Sequence, residues 1–209
     1  MKISLIIPAY NEEKYIERTL KAIHGVEVIV VCNGCTDKTE DIAKKYASKV
    51  IVLKEKGVSR ARNEGAKAAS HQRFVFLDAD ILPEKNLFEK IDTSVYTVGT
   101  CKAKADSDSL FDGIMMWMKT ELHRFGYCTG LLFIDKDLFL KVGGFEEHLD
   151  KKEDGRLLRR AQALGTFGVV EGYVYNNMRR YRTKGYLRIC LYWIREYIFP
   201  SKKEYESVR

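Results

Sequence analysis

Asp78-Ala79-Asp80 closes the apolar run Phe74-Val75-Phe76-Leu77, and its two carboxylates have the type and spacing to do chemistry. Successive side chains of an extended chain alternate, so positions 78 and 80 share one side. The run reads as a buried strand, and the carboxyl ends of strands are where open α/β sheets bind ligands. Two carboxylates there, with no basic residue between them, repel one another unless a cation holds them. Hard divalent ions such as Mg²⁺ or Mn²⁺ take such oxygen ligands, usually together with a diphosphate. The plainer reading is a turn, because Asp is common after strands and Ile81-Leu82-Pro83 breaks the run.

Other pairs are less informative. Cys32-Asn33-Gly34-Cys35 is a Cys-x-x-Cys between a strand and a helix, the layout of a thioredoxin-like redox site. That reading leaves Asp78, Asp80 and Asp154 without a role. Zinc would need a second Cys or His pair at matching spacing, so the two thiols read as small packing residues. Asp106-Ser107-Asp108 precedes a helix and reads as capping. His148, among Glu146, Glu147 and Asp150, reads as a solvated loop.

The elements that must position these groups follow from periodicity. Strands are expected at 3–8, 26–31, 50–53 and 74–77, alternating with helices at 12–23, 37–47 and 59–69. Asp37, with Glu40 three residues on, suits a reciprocal cap. Ala61, Gly65 and Ala69 form a small-residue stripe that lets the third helix lie close on a sheet. Strands spaced by helices of this length imply right-handed crossovers and a parallel sheet. After Pro83 the pattern loosens: helices at 87–91, 109–125, 136–142, 154–164 and 186–199, extended chain at 95–100, 131–134 and 169–175. Met115, Met116, Trp117 and Met118 cannot share one helical face; some belong to the core and the rest shape an acceptor pocket or cover the sheet.

A chain of 209 residues with 45% apolar and 31% charged content suits one large α/β domain. We expect a catalytic domain over 1–182 and a basic helical extension over 183–209. The formal charge of +7 is concentrated late: nine Lys and Arg side chains fall within the last 31 positions. Such an end suits phosphates or anionic lipid; no nucleic-acid signature accompanies it. No signal-peptide layout and no apolar run long enough to span a bilayer appear, so a cytoplasmic protein, at most peripheral to a membrane, is expected. Five cysteines, an odd number, fit a reducing compartment without structural disulfides.

Six motifs in order carry a resemblance. They are Leu5-Ile6-Ile7-Pro8-Ala9-Tyr10-Asn11-Glu12-Glu13, Val30-Val31-Cys32-Asn33-Gly34-Cys35-Thr36-Asp37, Gly57-Val58-Ser59-Arg60-Ala61-Arg62-Asn63-Glu64-Gly65, Leu77-Asp78-Ala79-Asp80, Gly143-Gly144-Phe145-Glu146 and Glu153-Asp154-Gly155-Arg156-Leu157-Leu158-Arg159-Arg160. This series resembles the inverting glycosyltransferases of family 2 over roughly residues 3–165. The resemblance implies a three-layer, Rossmann-like nucleotide-diphospho-sugar transferase fold with a mostly parallel central sheet and a helical C-terminal extension. It implies a donor site made by Pro8, Ala9, Tyr10, Glu12, Asn33, Gly57, Arg60, Asn63, Asp78, Ala79 and Asp80. Asp80 and Asp78 would hold Mg²⁺ or Mn²⁺, Asp154 would be the catalytic base, and Arg160 would support its loop. Gly130, Glu153, Arg179 and Arg180 are expected on the acceptor side. Asn33 departs from the family's usual pair of aspartates; an amide both donates and accepts, which leaves uracil and guanine open.

The chemistry asks for the same residue types. A sugar leaving a diphosphate loads charge on the leaving oxygen, which a divalent cation absorbs. An attacking hydroxyl must lose a proton to a carboxylate of near-neutral pKa. The expected enzyme moves a sugar from a UDP- or GDP-sugar to a sugar hydroxyl or a polyprenyl phosphate; with a phosphate acceptor Asp154 need not act as a base. A sugar-phosphate nucleotidyltransferase is the alternative enzyme, but the Gly-rich basic loop of those proteins is absent after the first strand. The segment from Tyr186 to Phe199 mixes aromatic and basic side chains, which suits a helix lying on an anionic membrane surface or packed on the protein.

Overall fold

A computed structural model describes residues 1–121, 128, 130–148 and 153–198. The first half is β1 (Ile3–Ala9), α1 (Ile16–Lys21), β2 (Glu27–Asn33), α2 (Thr39–Ala43), β3 (Lys49–Leu53), α3 (Val58–Ala68) and β4 (Arg73–Leu77). The second is β5 (Leu82–Pro83), α4 (Leu87–Asp92), β6 (Val98–Ala105), α5 (Leu110–Glu121), β7 (Leu131–Asp135), α6 (Lys136–Lys141), α7 (Glu153–Gln162), β8 (Phe167–Asn176), α8 (Arg179–Lys184) and α9 (Tyr186–Ile198). All eight strands join one sheet in the order β3-β2-β1-β4-β7-β6-β8-β5. The β3-β2-β1-β4 block is parallel, as the βαβ pattern requires. β7 runs antiparallel to both β4 and β6, β8 is parallel to β6, and β5 is antiparallel to β8.

The alternation along β1 divides the core. Leu5 and Ile7 face one side with Val28, Val30, Val75 and Leu77. Ile6 faces the other with Val31, Phe74 and Phe76, against Ala61 of α3 and Leu157 and Leu158 of α7. The result is three layers, helices on both faces of the sheet. The small-residue stripe does what its spacing implies: a Cβ on Gly65 would lie 2.4 Å from Ile6 Cγ2, so only glycine permits this approach of α3 to β1.

Several elements differ from expectation. Helix α1 starts four residues later than the pattern suggests, because the chain first turns with the amides of Tyr15 and Ile16 on the Glu12 carbonyl. Asp37 accepts from the Thr39 amide at 3.0 Å, but Lys38 stands at the N-cap of α2 with no side-chain capping bond, so the expected reciprocal cap with Glu40 is not formed. The short β5 and α8 carry no periodic signal and escape a sequence reading; the former exists because Leu82 and Pro83 pair with β8. The expected 109–125 helix is seen to Glu121, and its remainder lies outside the described residues, as do Asp150, Phe199 and residues 200–209. The start of α9 packs on the body: Ile189 is buried and the Tyr186 hydroxyl donates to Asp112 Oδ1 at 2.6 Å. No described helix is long and apolar enough to cross a membrane.

Candidate functional site

The carboxyl ends of β1, β2 and β4 converge, and two arginines organise the carboxylates there. Arg62, on α3, is 4% exposed. Its Nη1 donates to Glu153 Oε1 at 2.8 Å and lies 2.9 Å from Asp154 Oδ1, while Nη2 donates to Asp78 Oδ1 at 3.1 Å. The guanidinium sits 5.2 Å from the centre of the Phe145 ring. Phe145 is held in turn by Phe76, edge to face at 4.9 Å. The Gly143-Gly144-Phe145 segment is clamped by Asn63, whose Nδ2 donates to the Phe145 carbonyl at 2.9 Å and whose Oδ1 accepts from its amide at 3.0 Å. Arg160 tightens the same loop through the Gly144 carbonyl (2.6 Å) and Glu146 (2.9 Å).

The second arginine comes from the other end of the chain. Arg179 Nη2 donates to both oxygens of Glu12, at 2.9 and 3.0 Å, and lies 3.1 Å from Asp80 Oδ2. Its guanidinium stacks 4.3 Å from the Tyr15 ring centre. Asp78 and Asp80 therefore belong to two ion-pair clusters, each carboxylate with a guanidinium partner from another element.

These arginines do not neutralise the site. Burial raises Asp80 to about 6, helped by repulsion from Asp78 and opposed by Arg179. Burial likewise raises Asp78, against the pull of Arg62. Burial lifts Asp154 to about 7; Arg62 opposes, and Glu153 and Asp78 add to the rise. Beneath the pair, Lys119 of α5 donates to Asn176 Oδ1 at 3.1 Å. Burial lowers Lys119, while Asp78 and Asp80 hold its charge. Asn176 is 6% exposed and its Nδ2 has no partner among the described residues. Gly130, at φ +95°, closes this floor; its carbonyl accepts from the Asp78 amide at 3.1 Å, and a Cβ would meet Ile81 at 2.1 Å.

The remaining expected residues divide. Pro8 and Ala9 end β1, Ala79 is buried between the two carboxylates, and Tyr10 lies 5.0 Å under the Lys56 ammonium at the rim. Asn33 is buried, with Nδ2 donating to the Ala9 carbonyl at 2.8 Å and Oδ1 accepting from the Gly57 amide at 3.1 Å. Its amide thus ties β1, β2 and the α3 entrance together. Asn63 serves the Phe145 loop, and Arg60 is exposed and pairs with Glu55 at 3.4 Å, away from the carboxylates. Arg179 stands with Glu12 and Asp80, whereas Arg180 is the neighbour whose charge pushes down on Lys119. His148 is exposed at 3.6 Å from Glu146, in keeping with a solvated loop. The Cys32 and Cys35 thiols are free; Cys32 is buried in the core and Cys35 packs against it.

A sequence reading misses Arg62, Lys119 and Asn176. For Arg62 a signal exists: several carboxylates converging at one sheet edge require a buried cation, and the third motif supplies one. For Lys119 and Asn176 none exists, because only the fold brings α5 and the end of β8 beneath β4.

Comparison with known proteins agrees with this geometry. The family model "Glycosyl transferase family 2" matches residues 4–97. Over those residues, a little under half of its length, the chain is similar to glycosyltransferase family 2. Glycosyltransferase AglE of Haloferax volcanii is 29% identical over 188 residues, covering 78% of this chain and 62% of AglE. A dolichol-phosphate mannosyltransferase of Pyrococcus furiosus is 38% identical over 102 residues, 44% of this chain and 29% of its own. The chain thus spans less than two thirds of these family relatives. Among solved structures, S. aureus TarS 1–349 in complex with UDP-GlcNAc superposes with a TM-score of 0.72 at 24% identity, over 86% of this chain and 59% of TarS 1–349. The mannosyltransferase PcManGT of Pyrobaculum calidifontis, in complex with GDP-Man and Mn²⁺, gives 0.67 at 19% identity, over 93% and 64%. These likenesses show the nucleotide-sugar transferase fold, and with it the α/β layering; a thioredoxin-like architecture is overturned.

Proposed function

We propose that this chain is a metal-dependent inverting glycosyltransferase that moves a sugar from a UDP- or GDP-sugar onto a hydroxyl of a glycan acceptor. The observation that carries the reading is the single guanidinium of Arg62 holding Asp78 and Asp154 into one site. Asp78 and Asp80 are both held above the usual carboxylate range, chiefly by burial, and as two hard oxygen donors at one sheet edge they fit a divalent cation. Among the described residues no group of three or more His, Cys, Asp or Glu surrounds one point, so Asp78 and Asp80 would share the ion with oxygens of the donor. Mg²⁺ or Mn²⁺ bound there would supply charge for the leaving diphosphate.

The protein's own groups do the rest. Tyr10 and the Pro8-Ala9 end of β1 line the nucleotide side, Gly57 closes over it, and Arg179 orients Glu12 and Asp80. Asp154, raised to about 7, accepts the acceptor's proton, and Arg62 stabilises the ionised form while positioning Glu153 beside it. A single displacement from the face opposite the leaving group inverts the anomeric centre. A screen of nucleotide-sugars by thermal shift, with and without Mn²⁺, tests the donor: the right one adds stability by mass action, about 2.7 kcal/mol at a hundredfold excess over its Kd. No Mn²⁺-dependent shift with any UDP- or GDP-sugar overturns the assignment.

A second reading, a polyprenyl phosphate acceptor, is favoured by Lys119, whose charge acts on Asp78 and Asp80, with Arg180 near it and the Asn176 Nδ2 without a hydrogen-bond partner among the described residues, a set that suits a phosphate. The phosphate oxygen is then already a nucleophile, and Asp154→Asn should leave turnover nearly normal. Substitution Lys119→Met separates the two: it should raise KM for a phosphate acceptor by about tenfold and leave that of a neutral glycan unchanged.

A further inference from the structure

Helix α5 turns two different faces outward and inward. Leu110, Phe111, Ile114, Trp117 and Met118 recur at one, three and four residues and cover a single arc of the helix, about 120° wide. All five are exposed, Phe111 at 69% and Trp117 at 64%. Asp112, Met115, Met116 and Lys119 occupy the opposite arc, with Met115 and Met116 in the core and Lys119 beneath Asp78 and Asp80. The Met115-Met116-Trp117-Met118 run is thus split, two residues inward and two to solvent. Helix α9 continues the outward face. Phe111 and Tyr186 rings lie 6.3 Å apart, and Cys190 Sγ meets Met115 Sδ at 3.7 Å. From there Leu187, 73% exposed, and Leu191 project outward with Arg188 and Arg195. Arg182 and Tyr186 both bond the buried Asp112 carboxylate, fixing α8 and α9 against α5.

We infer that the joint α5–α9 face docks on an anionic phospholipid surface. Seven exposed large apolar side chains on two adjoining helices exceed the scattered Leu or Val of an ordinary surface. Their charged neighbours select the occupant: Arg188 and Arg195 on the outward arc of α9 outnumber Glu121, the exposed carboxylate at the end of the α5 arc. A second copy of the chain would set these cations against one another. Anionic headgroups pair with them while the aromatic and aliphatic side chains enter the interface. This goes beyond a contact through the chain's basic end alone, because the apolar part lies on α5. Helix α5 is about 18 Å long and its inner arc carries Lys119, so one rigid element sets the distance from lipid surface to carboxylate site.

Full-length protein should co-sediment with phosphatidylcholine vesicles containing phosphatidylglycerol, bind pure phosphatidylcholine at least tenfold less well, and be released by salt. Trp117→Asp and Phe111→Asp, both exposed and outside the carboxylate site, should each reduce vesicle binding about tenfold with unchanged melting temperature and donor binding. Arg188→Glu with Arg195→Glu should remove the preference for anionic vesicles. Equal binding by Trp117→Asp and the parent protein, or no binding to anionic vesicles at low salt, overturns the inference. So does a concentration-dependent dimer in sedimentation velocity that Trp117→Asp dissociates, which assigns the face to a second copy. Loss of donor binding in the parent protein, with vesicle binding intact, would count against the transferase reading alone.

Discussion

Asp78 and Asp80 are two residues apart, yet they sit in ion-pair clusters built on different plans. Around Arg62 everything comes from the packed body: α3 lies tight on β1 through Gly65, Phe145 backs the guanidinium, and α7 delivers Glu153 and Asp154. Around Arg179 the cation arrives on the six-residue helix α8, meets Glu12 in the loop before α1, and rests on Tyr15. Arg62 is almost wholly enclosed, whereas Arg179 retains 17% side-chain exposure. A buried cation shared by three carboxylates cannot leave without stranding them. A cation on a short, less enclosed helix can yield its place at smaller cost. Under the proposed function, the Arg62 cluster suits a base held in fixed geometry, and the Arg179 cluster suits the entry of a charged donor and its metal.

Four experiments can break or sharpen that contrast. The largest effect should follow Asp80→Ala: metal-dependent binding of the nucleoside diphosphate, read by calorimetry, should vanish while the domain stays folded. Unchanged metal-dependent affinity would remove the Arg179 cluster from the donor side.

Asp154→Asn should lower turnover by roughly 10²–10⁴-fold with donor affinity nearly intact. The parent's kcat/KM should rise with pH through about 7, because the base acts only when ionised. The variant's profile should be flat there. Stability should run the opposite way. A carboxyl whose folded pKa is raised above its unfolded value stabilises the fold at low pH, and that contribution is lost as pH rises through about 7. Urea melts of the parent should thus weaken between pH 5 and 8 (on the order of the titration window) relative to Asp154→Asn.

Arg62→Met should cost about 3 kcal/mol in urea melts, from carboxylates left without their buried partner. That figure lies at the low end because Asp78 and Asp154 open partly onto solvent. Arg179→Met should cost about 1 kcal/mol or less by the same measurement, since Arg179 is itself more exposed than Arg62 and holds two carboxylates rather than three. Equal losses for the two variants would end the distinction between a fixed and a yielding cluster.

How much of this was legible differs between the same regions. The β1–β4 block reads directly, since each strand is a continuous apolar run and each helix carries its own period. Asp78, Asp80 and Asp154 are readable because carboxylates at strand ends and after a Gly-Gly-Phe turn are unusual local combinations. Asn33 and Asn63 sit in the right segments, but their amides bind backbone of the protein itself, at Ala9 and Gly57 and at Phe145. Residue type alone does not tell a ligand contact from a loop tie, because both need a donor and an acceptor in one small side chain. Arg60 and Arg62 differ only by which face of α3 they occupy, and the helix phase relative to the sheet selects Arg62.

By itself the sequence determined the layered α/β fold, the likeness to family 2 and the paired carboxylates at a strand end. These depend on local periodicity and on residues adjacent in the chain, where the backbone alone fixes relative position. Tertiary structure decided which cation each carboxylate meets, that Lys119 and Asn176 form the floor of the site, and that α5 shows an apolar face to solvent. Those contacts join residues 16 to 167 positions apart, from Arg62–Asp78 to Glu12–Arg179. Separations of that kind are set by how β7, α5 and α8 pack against the first four strands, and packing is a property of the whole chain rather than of any segment.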